Sequence, residues 1–391
     1  MKEKKIYLDI SQFISHPYKT GIQRVLYELL INWDITTPLI PLFIDDKMQA
    51  HILPPKVLDL IKLYFRLDDQ KIQTITSKIK SFTKIKHPLE FTNDYNFAIL
   101  NPELFYNQNR INFYKNFIQT RGPDQLYFII YDLLPFIHPE YFPRNILTGC
   151  TPYLTLIINL TNCAFISEKT KRDFINRAAR TDNLLTCPIL PLGSDTLGIH
   201  KKSFDPSNST FTVVGDIRPR KNTEKIMSVF EEIWDKGTKV KLQLCGPINW
   251  PDQSMKNRID NLKTKQSLFS WIDSPSDQIL RNAIINSRCT IYASENEGFG
   301  LPPLESLSLG TPVIVGNHIP SIELIPEQGM IKIEEITSET LSLAIKKMTD
   351  NTFASEKYYQ LDNLVLPKWR DLSKKTKTWL FNDAISNKNQ A

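Results

Sequence analysis

The chain has 391 residues, 41% of them hydrophobic, and a formal net charge of +6 at pH 7. This length predicts two domains, and the apolar share is enough for two full cores. The modest positive charge is compatible with anionic lipids or phosphorylated substrates, but no nucleic-acid-binding motif accompanies it, so nucleic acid is not an expected partner. The longest apolar stretches, such as residues 154–166, are interrupted by Asn and Thr and are too short to cross a bilayer.

The N-terminal segment predicts a strand followed by an amphipathic helix. Residues 5–10 (KIYLDI) form the predicted strand, and Thr20 is a suitable N-cap for a helix that begins at Gly21. Apolar residues then recur at three- and four-residue steps, at Ile22, Val25, Leu26, Leu29, Leu30 and Trp33. Because a strand begins almost at once, without a signal peptide, we expect a cytoplasmic protein.

A helical region of the first domain carries many basic residues among Ile, Leu and Phe: Lys56, Lys62, Arg66, Lys71, Lys78, Lys80, Lys84 and Lys86. This pattern has two explanations. The region could rest on the cytoplasmic face of the inner membrane as a peripheral contact. The pattern favours the alternative, in which these residues are the solvated faces of ordinary helices.

Residues 126–135 (LYFIIYDLLP) predict a buried strand that ends close to Asp132. Ligands approach an open parallel sheet at the carboxyl ends of its strands, so Asp132 is a candidate contact for a ligand. It could equally cap the next turn. His138 lies in the loop that follows, where a single histidine is weak support for function.

A break in composition at residues 200–209 (HKKSFDPSNS) predicts a linker. We therefore expect a first domain over residues 1–200, a second over 210–366 and a C-terminal helix over 367–385. Strands rich in Ile, Leu and Val alternate with amphipathic helices, which is typical of α/β proteins with doubly wound parallel sheets. The five cysteines show no C-x-x-C spacing and mostly lie in apolar runs, which indicates buried, reduced thiols rather than disulfides or zinc ligands.

A basic loop follows a predicted strand of the second domain. The strand is residues 211–215 (FTVVG), and a helix opens at Thr223. Between them lie Arg218, Arg220 and Lys221, three cations close to a helix start, where the helix dipole disfavours positive charge. A bound anion would explain them; a solvated basic loop is the alternative.

The glycine-rich turn at residues 294–305 (SENEGFGLPPLE) is the most informative part of the chain. It follows the apolar strand 289–293 (CTIYA) and leads into a short helix. Gly298 and Gly300 allow the backbone to approach an anion, and the helix N-terminus offers N–H groups and a positive dipole. Glu297 and Glu305 would repel phosphate, so they suit the sugar hydroxyls that flank the pyrophosphate of a nucleotide-sugar. A tight turn with two solvated acids is the alternative.

This turn is similar to the E-x7-E signature of retaining glycosyltransferases of the GT-B fold, specifically glycosyltransferase family 4. The resemblance implies two Rossmann-like domains that face each other across a cleft, the first for the acceptor and the second for the donor, with a C-terminal helix that crosses back to the first domain. It also implies that Glu305 binds the ribose and Glu297 the donor sugar. Phe299, Gly300 and Leu301 would contact phosphate and sugar through backbone N–H groups.

The other motifs resemble the same family, in the same order. The V-G of the strand, at Gly215, and the P-R-K-N loop imply that Lys221 contacts the donor pyrophosphate, with Arg220 as its companion. Base contacts would be mostly backbone, near Ile272. Where many relatives have an arginine directly after V-G, this chain has Asp216, so one phosphate contact is in doubt, and Arg218 is a hypothetical substitute.

The first domain carries the remaining elements of the resemblance. The element T-G-I-Q-R resembles one in sugar-polymer transferases, which implies that the loop at Gly21 lies beside the donor phosphates; Arg24 could reach an anion or be solvated. Asp132 resembles the aspartate of a Y-D-L-x-P element and implies a contact with acceptor or donor sugar, and His138 matches a recurrent position. The frequent histidine of that element is Tyr131 here, so an imidazole role is not carried over.

The predicted reaction is transfer of a hexose, with mannose or a deoxyhexose favoured, from a nucleotide-sugar to a glycan or lipid-linked glycan of a surface polysaccharide. No two aspartates are separated by a single residue, so the D-x-D metal motif is absent and we expect no metal or other cofactor. Retention of anomeric configuration is implied by the resemblance alone. Two alternatives remain: a nucleotide-sugar epimerase or hydrolase of GT-B shape, and a catalytically silent scaffold.

Overall fold

The protein is described from a computed structural model. It describes residues 4–67, 69–85, 87–91, 96–178, 186–250 and 253–386. The chain divides into two compact units, the first formed by Met1–Leu192 and Trp369–Ala391 and the second by Gly193–Lys368.

The first unit is a doubly wound α/β unit around one six-stranded sheet in the order β3-β2-β1-β4-β5-β6. Its β2–β3 pair is antiparallel and its other pairs are parallel. The elements up to the end of the first segment are β1 Lys5–Asp9, α1 Ser11–Ser15, α2 Gly21–Asn32, β2 Leu39–Ile44, β3 Ala50–Ile52, α3 Lys56–Arg66, α4 Asp69–Ser81, β4 Phe97–Asn101, α5 Gln108–Arg121, β5 Leu126–Ile130, α6 Leu134–Ile137, α7 Arg144–Ile157, β6 Asn162–Phe165 and α8 Glu168–Ala178, with 3-10 turns at Phe82–Lys84 and Pro139–Tyr141.

The second unit is built around a six-stranded, fully parallel sheet in the order β12-β11-β10-β7-β8-β9. Its elements are β7 Thr210–Val214, α9 Thr223–Asp235, β8 Lys241–Cys245, α10 Gln253–Lys265, β9 Phe269–Ile272, α11 Asp277–Ile285, β10 Cys289–Tyr292, α12 Leu301–Ser308, β11 Val313–Gly316, β12 Met330–Ile333, α13 Ser338–Thr349 and α14 Asn351–Tyr359, with 3-10 turns at Pro219–Lys221 and Pro320–Leu324. Strands covered by helices on both faces read as continuous apolar runs, as those of β7 and β10 do.

The last helix, α15 (Trp369–Ser386), belongs to the first unit and packs against α2. Trp369 is 1% exposed, and the Lys377 ammonium lies 2.5 Å from a carboxylate oxygen of Asp34. The chain therefore returns to the first unit, as predicted. The α/β class with two doubly wound sheets is also confirmed.

Three local predictions can be compared with the structure. The Thr20 hydroxyl accepts a hydrogen bond from the backbone N–H of Gln23 at 3.3 Å, so Thr20 is the N-cap of α2. All five cysteines are buried, and none of them forms a disulfide. Residues 200–209 lie in the second unit, where the backbone N–H of His200 donates to Ser308 and the Lys202 ammonium to Ser287.

The basic region of the first unit corresponds to α3, α4 and the turn after them. Several apolar side chains of these helices, including Val57, Ile61 and Ile79, are buried, whereas Leu63 is 40% exposed. Most of the basic side chains are exposed. Lys86 lies outside the described residues. No helix in the described ranges is both long and apolar enough to cross a membrane.

Candidate functional site

The glycine turn between β10 and α12 has a conformation that requires glycine at its last position. Gly300 has φ +89°, and a Cβ there would lie 2.6 Å from a methyl carbon of Ile319. Ser321 holds the turn in place, because its backbone N–H donates to the Phe299 carbonyl at 2.9 Å and its hydroxyl to the Gly300 carbonyl at 2.6 Å. Gly300 is the N-cap of α12 and provides no side-chain cap, so the positive end of this helix is available to an anion.

The basic loop after β7 is bound to the end of β10. Asn222 adopts the left-handed conformation (φ 53°), and its amide donates to the Ala293 carbonyl at 3.0 Å and to Glu295 at 2.6 Å. The backbone N–H of Glu295 donates to the Arg220 carbonyl at 2.8 Å. Since β7 and β10 are neighbours in the parallel sheet, their carboxyl ends lie side by side. These contacts bring Lys221 to the glycine turn.

Two cations converge on one carboxylate oxygen at this point. Glu297 Oε1 lies 2.5 Å from both Lys221 Nζ and Arg220 Nη1, and it accepts a hydrogen bond from the Ser294 hydroxyl at 2.6 Å. The three charged side chains are 10–14% exposed. Their formal charges sum to +1, so this cluster keeps an excess positive charge beside a helix N-terminus.

The pKa shifts favour the charged forms of Glu297 and Arg220, whereas the pKa of Lys221 is lowered. Burial raises the pKa of Glu297, but the charges of Lys221 and Arg220 outweigh it and lower the pKa from 4.5 to about 2. Burial lowers the pKa of Lys221, while the Glu297 carboxylate opposes that effect. Burial also lowers the pKa of Arg220, and Glu297 reverses this, so that the pKa is raised.

Two further glycines bring the loops after β7 and β8 together. Gly215 has φ +124°, and a Cβ there would come within 4.0 Å of Lys221 Nζ. Gly246 has φ +151°, and a Cβ there would lie 2.0 Å from the Gly215 carbonyl oxygen, so backbone approaches backbone directly. Ile272 ends β9 beside this loop, and its carbonyl accepts from the backbone N–H of Gly246 at 3.0 Å.

Other residues of the predicted donor site lie near the same carboxyl ends of the strands in the second unit. Leu301 is the first residue of α12, and Glu305 lies one turn further along, where its side chain is 7% exposed. The Arg218 guanidinium is paired with the carboxylate of Asp216, the residue that replaces the arginine of many relatives. The guanidinium that was proposed to replace the missing phosphate contact, that of Arg218, is therefore engaged in an ion pair.

The remaining predicted residues belong to the first unit. A Cβ at Gly21 would meet no atom within 4 Å, so packing within the unit does not require glycine there. Arg24 is 9% exposed and therefore not a solvated surface arginine. Asp132 accepts a hydrogen bond from the backbone N–H of Leu134 at 3.1 Å, which is the capping role offered as its alternative. His138 lies 3.0 Å from a carboxylate oxygen of Glu140.

A buried ion cluster, which the sequence did not indicate, positions the segment before Gly21. Arg110 is bound to Asp9 through Nε at 2.8 Å and Nη2 at 2.6 Å, and to Glu103 at 3.2 Å. Glu103 in turn accepts from the backbone N–H groups of Gln12 and Phe13 at 2.9 and 2.7 Å, at the start of α1. Burial raises the pKa of Glu103 to about 7, although Arg110 opposes the shift.

Sequence reasoning also missed three residues around Glu297. The Ser294 hydroxyl donates to the Glu297 carboxylate, and the Tyr292 hydroxyl accepts from the Lys221 ammonium. The His318 imidazole donates from Nε2 to the Ser294 carbonyl at 2.9 Å. Ser294 and Tyr292 lie within the quoted strand and turn, but their partners are distant in sequence. Among the residues that the structure describes, no group of three or more His, Cys, Asp or Glu is placed to hold a metal ion.

Comparison with known proteins shows that this site is similar to that of a described family. Residues 198–362, which include the basic loop, the glycine turn and both glutamates, match the family model for glycosyl transferases group 1. The matched segment lies within the second unit. Chain-wide similarity to solved structures supports the GT-B fold: HepE of Anabaena in complex with UDP and glucose superposes with a TM-score of 0.63 at 13% identity, over 98% of this chain and 100% of that one. Sucrose-phosphate synthase of Thermosynechococcus elongatus gives a TM-score of 0.64 at 14% identity, with 98% and 100% coverage.

The curated relatives that the chain matches include mannosyltransferases. The serotype-specific mannosyltransferase WbdA of Escherichia coli is 26% identical over 206 residues, which cover 48% of this chain and 25% of WbdA. The O-antigen chain mannosyltransferase RfbU of Salmonella typhimurium is 22% identical over 245 residues, or 60% of this chain and 65% of RfbU. The alignment thus spans about a quarter of the length of WbdA. The matching family model and both of these relatives are described as glycosyltransferases.

Proposed function

We propose that the protein is a retaining, metal-independent glycosyltransferase that moves a hexose from a nucleotide-sugar to a glycan or a lipid-linked glycan during surface polysaccharide synthesis. Mannose or a deoxyhexose is the favoured sugar. The observation that carries the proposal is the convergence of Lys221, Arg220 and Glu297 beside the uncapped N-terminus of α12.

The chemistry of a sugar–pyrophosphate bond explains why this arrangement suits the reaction. Departure of a nucleoside diphosphate places negative charge on its terminal phosphate. Lys221, Arg220 and the N–H groups after Gly300 can offset that charge without a metal ion, and each preorganised donor of this kind is worth about 3–4 kcal/mol in the transition state. Glu297 neutralises one of the two cations, and we assign to it hydrogen bonds from the donor sugar.

Glu305 and Ile272 complete the proposed donor site. We assign the ribose to Glu305 and contacts with the base to the backbone near Ile272. The names of the relatives support mannose, and the HepE complex supports a nucleotide-sugar donor in a protein of this fold. We assign the backbone at Gly21 to the donor phosphates and Asp132 to a contact with the acceptor or the donor sugar. Arg24 and His138 are assigned to the acceptor side of the reaction.

The proposal is tested by measuring nucleotide release from GDP-mannose, GDP-fucose and UDP-glucose, with and without a lipid-tagged mannose oligosaccharide as acceptor. We expect release that depends on the acceptor, is unchanged by EDTA and is lowered on the order of a hundredfold or more in Lys221→Ala. NMR of the product should show the anomeric configuration of the donor. Release without acceptor would instead identify a hydrolase or epimerase, and no release from any donor would favour a silent scaffold.

Peripheral contact with the cytoplasmic face of the membrane is a further part of the proposal, because a lipid-linked acceptor resides there and Lys71, Lys78 and Lys80 are exposed on α4. Sedimentation with anionic phospholipid vesicles at low salt tests it. Loss of binding when these three lysines are replaced by glutamine is expected. Equal binding by the triple variant would assign any membrane contact to another surface.

A further inference from the structure

Tyr292 is the last residue of β10 and lies beneath the proposed diphosphate site. Its side chain is 3% exposed. Lys221 Nζ donates a hydrogen bond to the Tyr292 hydroxyl at 2.8 Å and lies 4.4 Å from the centroid of the ring. The ammonium thus has two neutral contacts with one side chain, a hydrogen bond and a cation–π contact.

The same ring also supports the glycine turn. A Cβ placed on Gly300 would lie 3.5 Å from Cε1 of Tyr292, so the ring packs directly against the backbone of the turn. Lys221 comes from the loop after β7, whereas Gly300 precedes α12. One buried ring therefore contacts both parts of the site that would bind a diphosphate.

We propose that Tyr292 is the positioning residue of the donor site, which holds the Lys221 ammonium in register with the glycine turn so that both meet the same diphosphate. This inference rests on the proposed function and adds a residue to it. Tyr292 acts through Lys221 and does not itself contact the donor.

Physical chemistry explains why a neutral partner is needed here. A lysine side chain has four flexible bonds and loses much rotamer freedom when its ammonium is fixed. Glu297 also fixes it, but a carboxylate repels the phosphate that Lys221 should bind. The phenol fixes the ammonium without adding negative charge, because burial raises the pKa of Tyr292 well above its ordinary value and keeps the hydroxyl protonated.

The first test follows the titration of Lys221 itself and needs no substrate. Amines are labelled with trace acetic anhydride between pH 7 and pH 10, and the rate at each lysine is measured by mass spectrometry. A hydrogen bond accepted from an ammonium favours its charged, unreactive form. In Tyr292→Phe we therefore expect the labelling rate of Lys221 at pH 8 to rise about tenfold. An unchanged profile for Lys221 would overturn the inference.

The chain offers a closely matched control in Tyr358. Its ring is buried in the same unit, and the Lys202 ammonium donates to its hydroxyl at 3.0 Å and lies 5.1 Å from its centroid. In Tyr358→Phe, the labelling of Lys202 should rise and that of Lys221 should stay unchanged. A rise at Lys221 in this variant would show a general loosening of the unit and would count against a specific role for Tyr292.

The second test asks whether the contact serves diphosphate binding. Titration calorimetry with inorganic pyrophosphate at pH 7.5 should show about tenfold weaker binding to Tyr292→Phe than to the wild type, and wild-type affinity for Tyr358→Phe. Equal affinity in Tyr292→Phe would refute the positioning role. A wild type that binds no pyrophosphate would refute both that role and the proposed donor site, whereas pyrophosphate binding without sugar transfer would refute only the proposed activity.

Discussion

Replacement of Glu297 by glutamine should tighten the binding of a diphosphate that carries no sugar. Glu297 is the shared counter-ion of Lys221 and Arg220, at 2.5 Å from each. Its substitution changes the net charge of the three groups from +1 to +2 and removes a carboxylate that repels phosphate. A unit charge about 5 Å from another is worth about 3 kcal/mol at an effective dielectric constant of about 20.

Water and salt screen part of this energy, so we expect inorganic pyrophosphate to bind at least about tenfold more tightly to Glu297→Gln than to the wild type. Titration calorimetry at constant ionic strength measures the effect. Glu327→Gln is the matched control: Glu327 pairs with Lys332 at 3.3 Å in the same unit, but outside the cluster, and its loss should leave the affinity unchanged.

The variant should also be less stable without ligand, because two buried cations lose their counter-ion. Pyrophosphate should restore that stability, since a ligand that binds only the folded state stabilises it. If Glu297→Gln bound pyrophosphate no more tightly than the wild type, the result would refute the view that the Glu297 carboxylate competes with phosphate for Lys221 and Arg220.

Three other predictions concern single residues. Lys221→Ala should lower turnover on the order of a hundredfold or more. The control Lys225→Ala removes an ammonium that is bound to the Ile336 carbonyl and should keep normal turnover. Near-normal steady-state turnover of Lys221→Ala would contradict its phosphate role. Glu305→Ala should chiefly weaken nucleotide affinity in calorimetry, and unchanged affinity would rule out the ribose contact. The pKa of Glu103 is raised from 4.5 to about 7, so the folded protein binds a proton that the unfolded chain has released; the free energy of unfolding therefore falls as pH rises through that window, by up to about 3 kcal/mol. In urea unfolding from pH 5 to pH 7.5, Glu103→Gln should lose less stability than the wild type. Equal losses of stability in the two proteins would refute the shift.

The local elements of the second unit could be predicted from the sequence because each signal lies within a few residues. The strand 289–293, the glycine turn and the helix that follows were all expected, and β10, Gly300 and α12 correspond to them. The helix expected to open at Thr223 corresponds to α9, in which Ile226, Val229 and Phe230 are fully buried.

The contacts between segments could not be predicted, because they depend on the order of strands in the sheet. Lys221 meets Glu297 because β7 is the neighbour of β10, which no local pattern states. Tyr292 lies in an apolar run and reads as an ordinary core residue, although its hydroxyl binds a lysine 71 positions away. Asp9 and Arg110 are 101 positions apart, so their ion pair is equally invisible to periodicity.

For two arginines, the sequence identified the element on which they lie but not the surroundings of their side chains. Arg24 lies on an amphipathic helix, where a polar residue is usually solvated, but its side chain is buried. Arg218 was considered as a substitute for a phosphate contact, and the structure pairs it with Asp216. In both cases the partner depends on tertiary structure, which the spacing of residue types does not reveal.

The most direct test of the account is a crystal structure of the protein with bound GDP or UDP. The account predicts that the diphosphate oxygens lie within about 3 Å of Lys221 Nζ and of the backbone N–H groups of Phe299, Gly300 and Leu301. A nucleotide bound with its phosphates away from Lys221 and the glycine turn would contradict it.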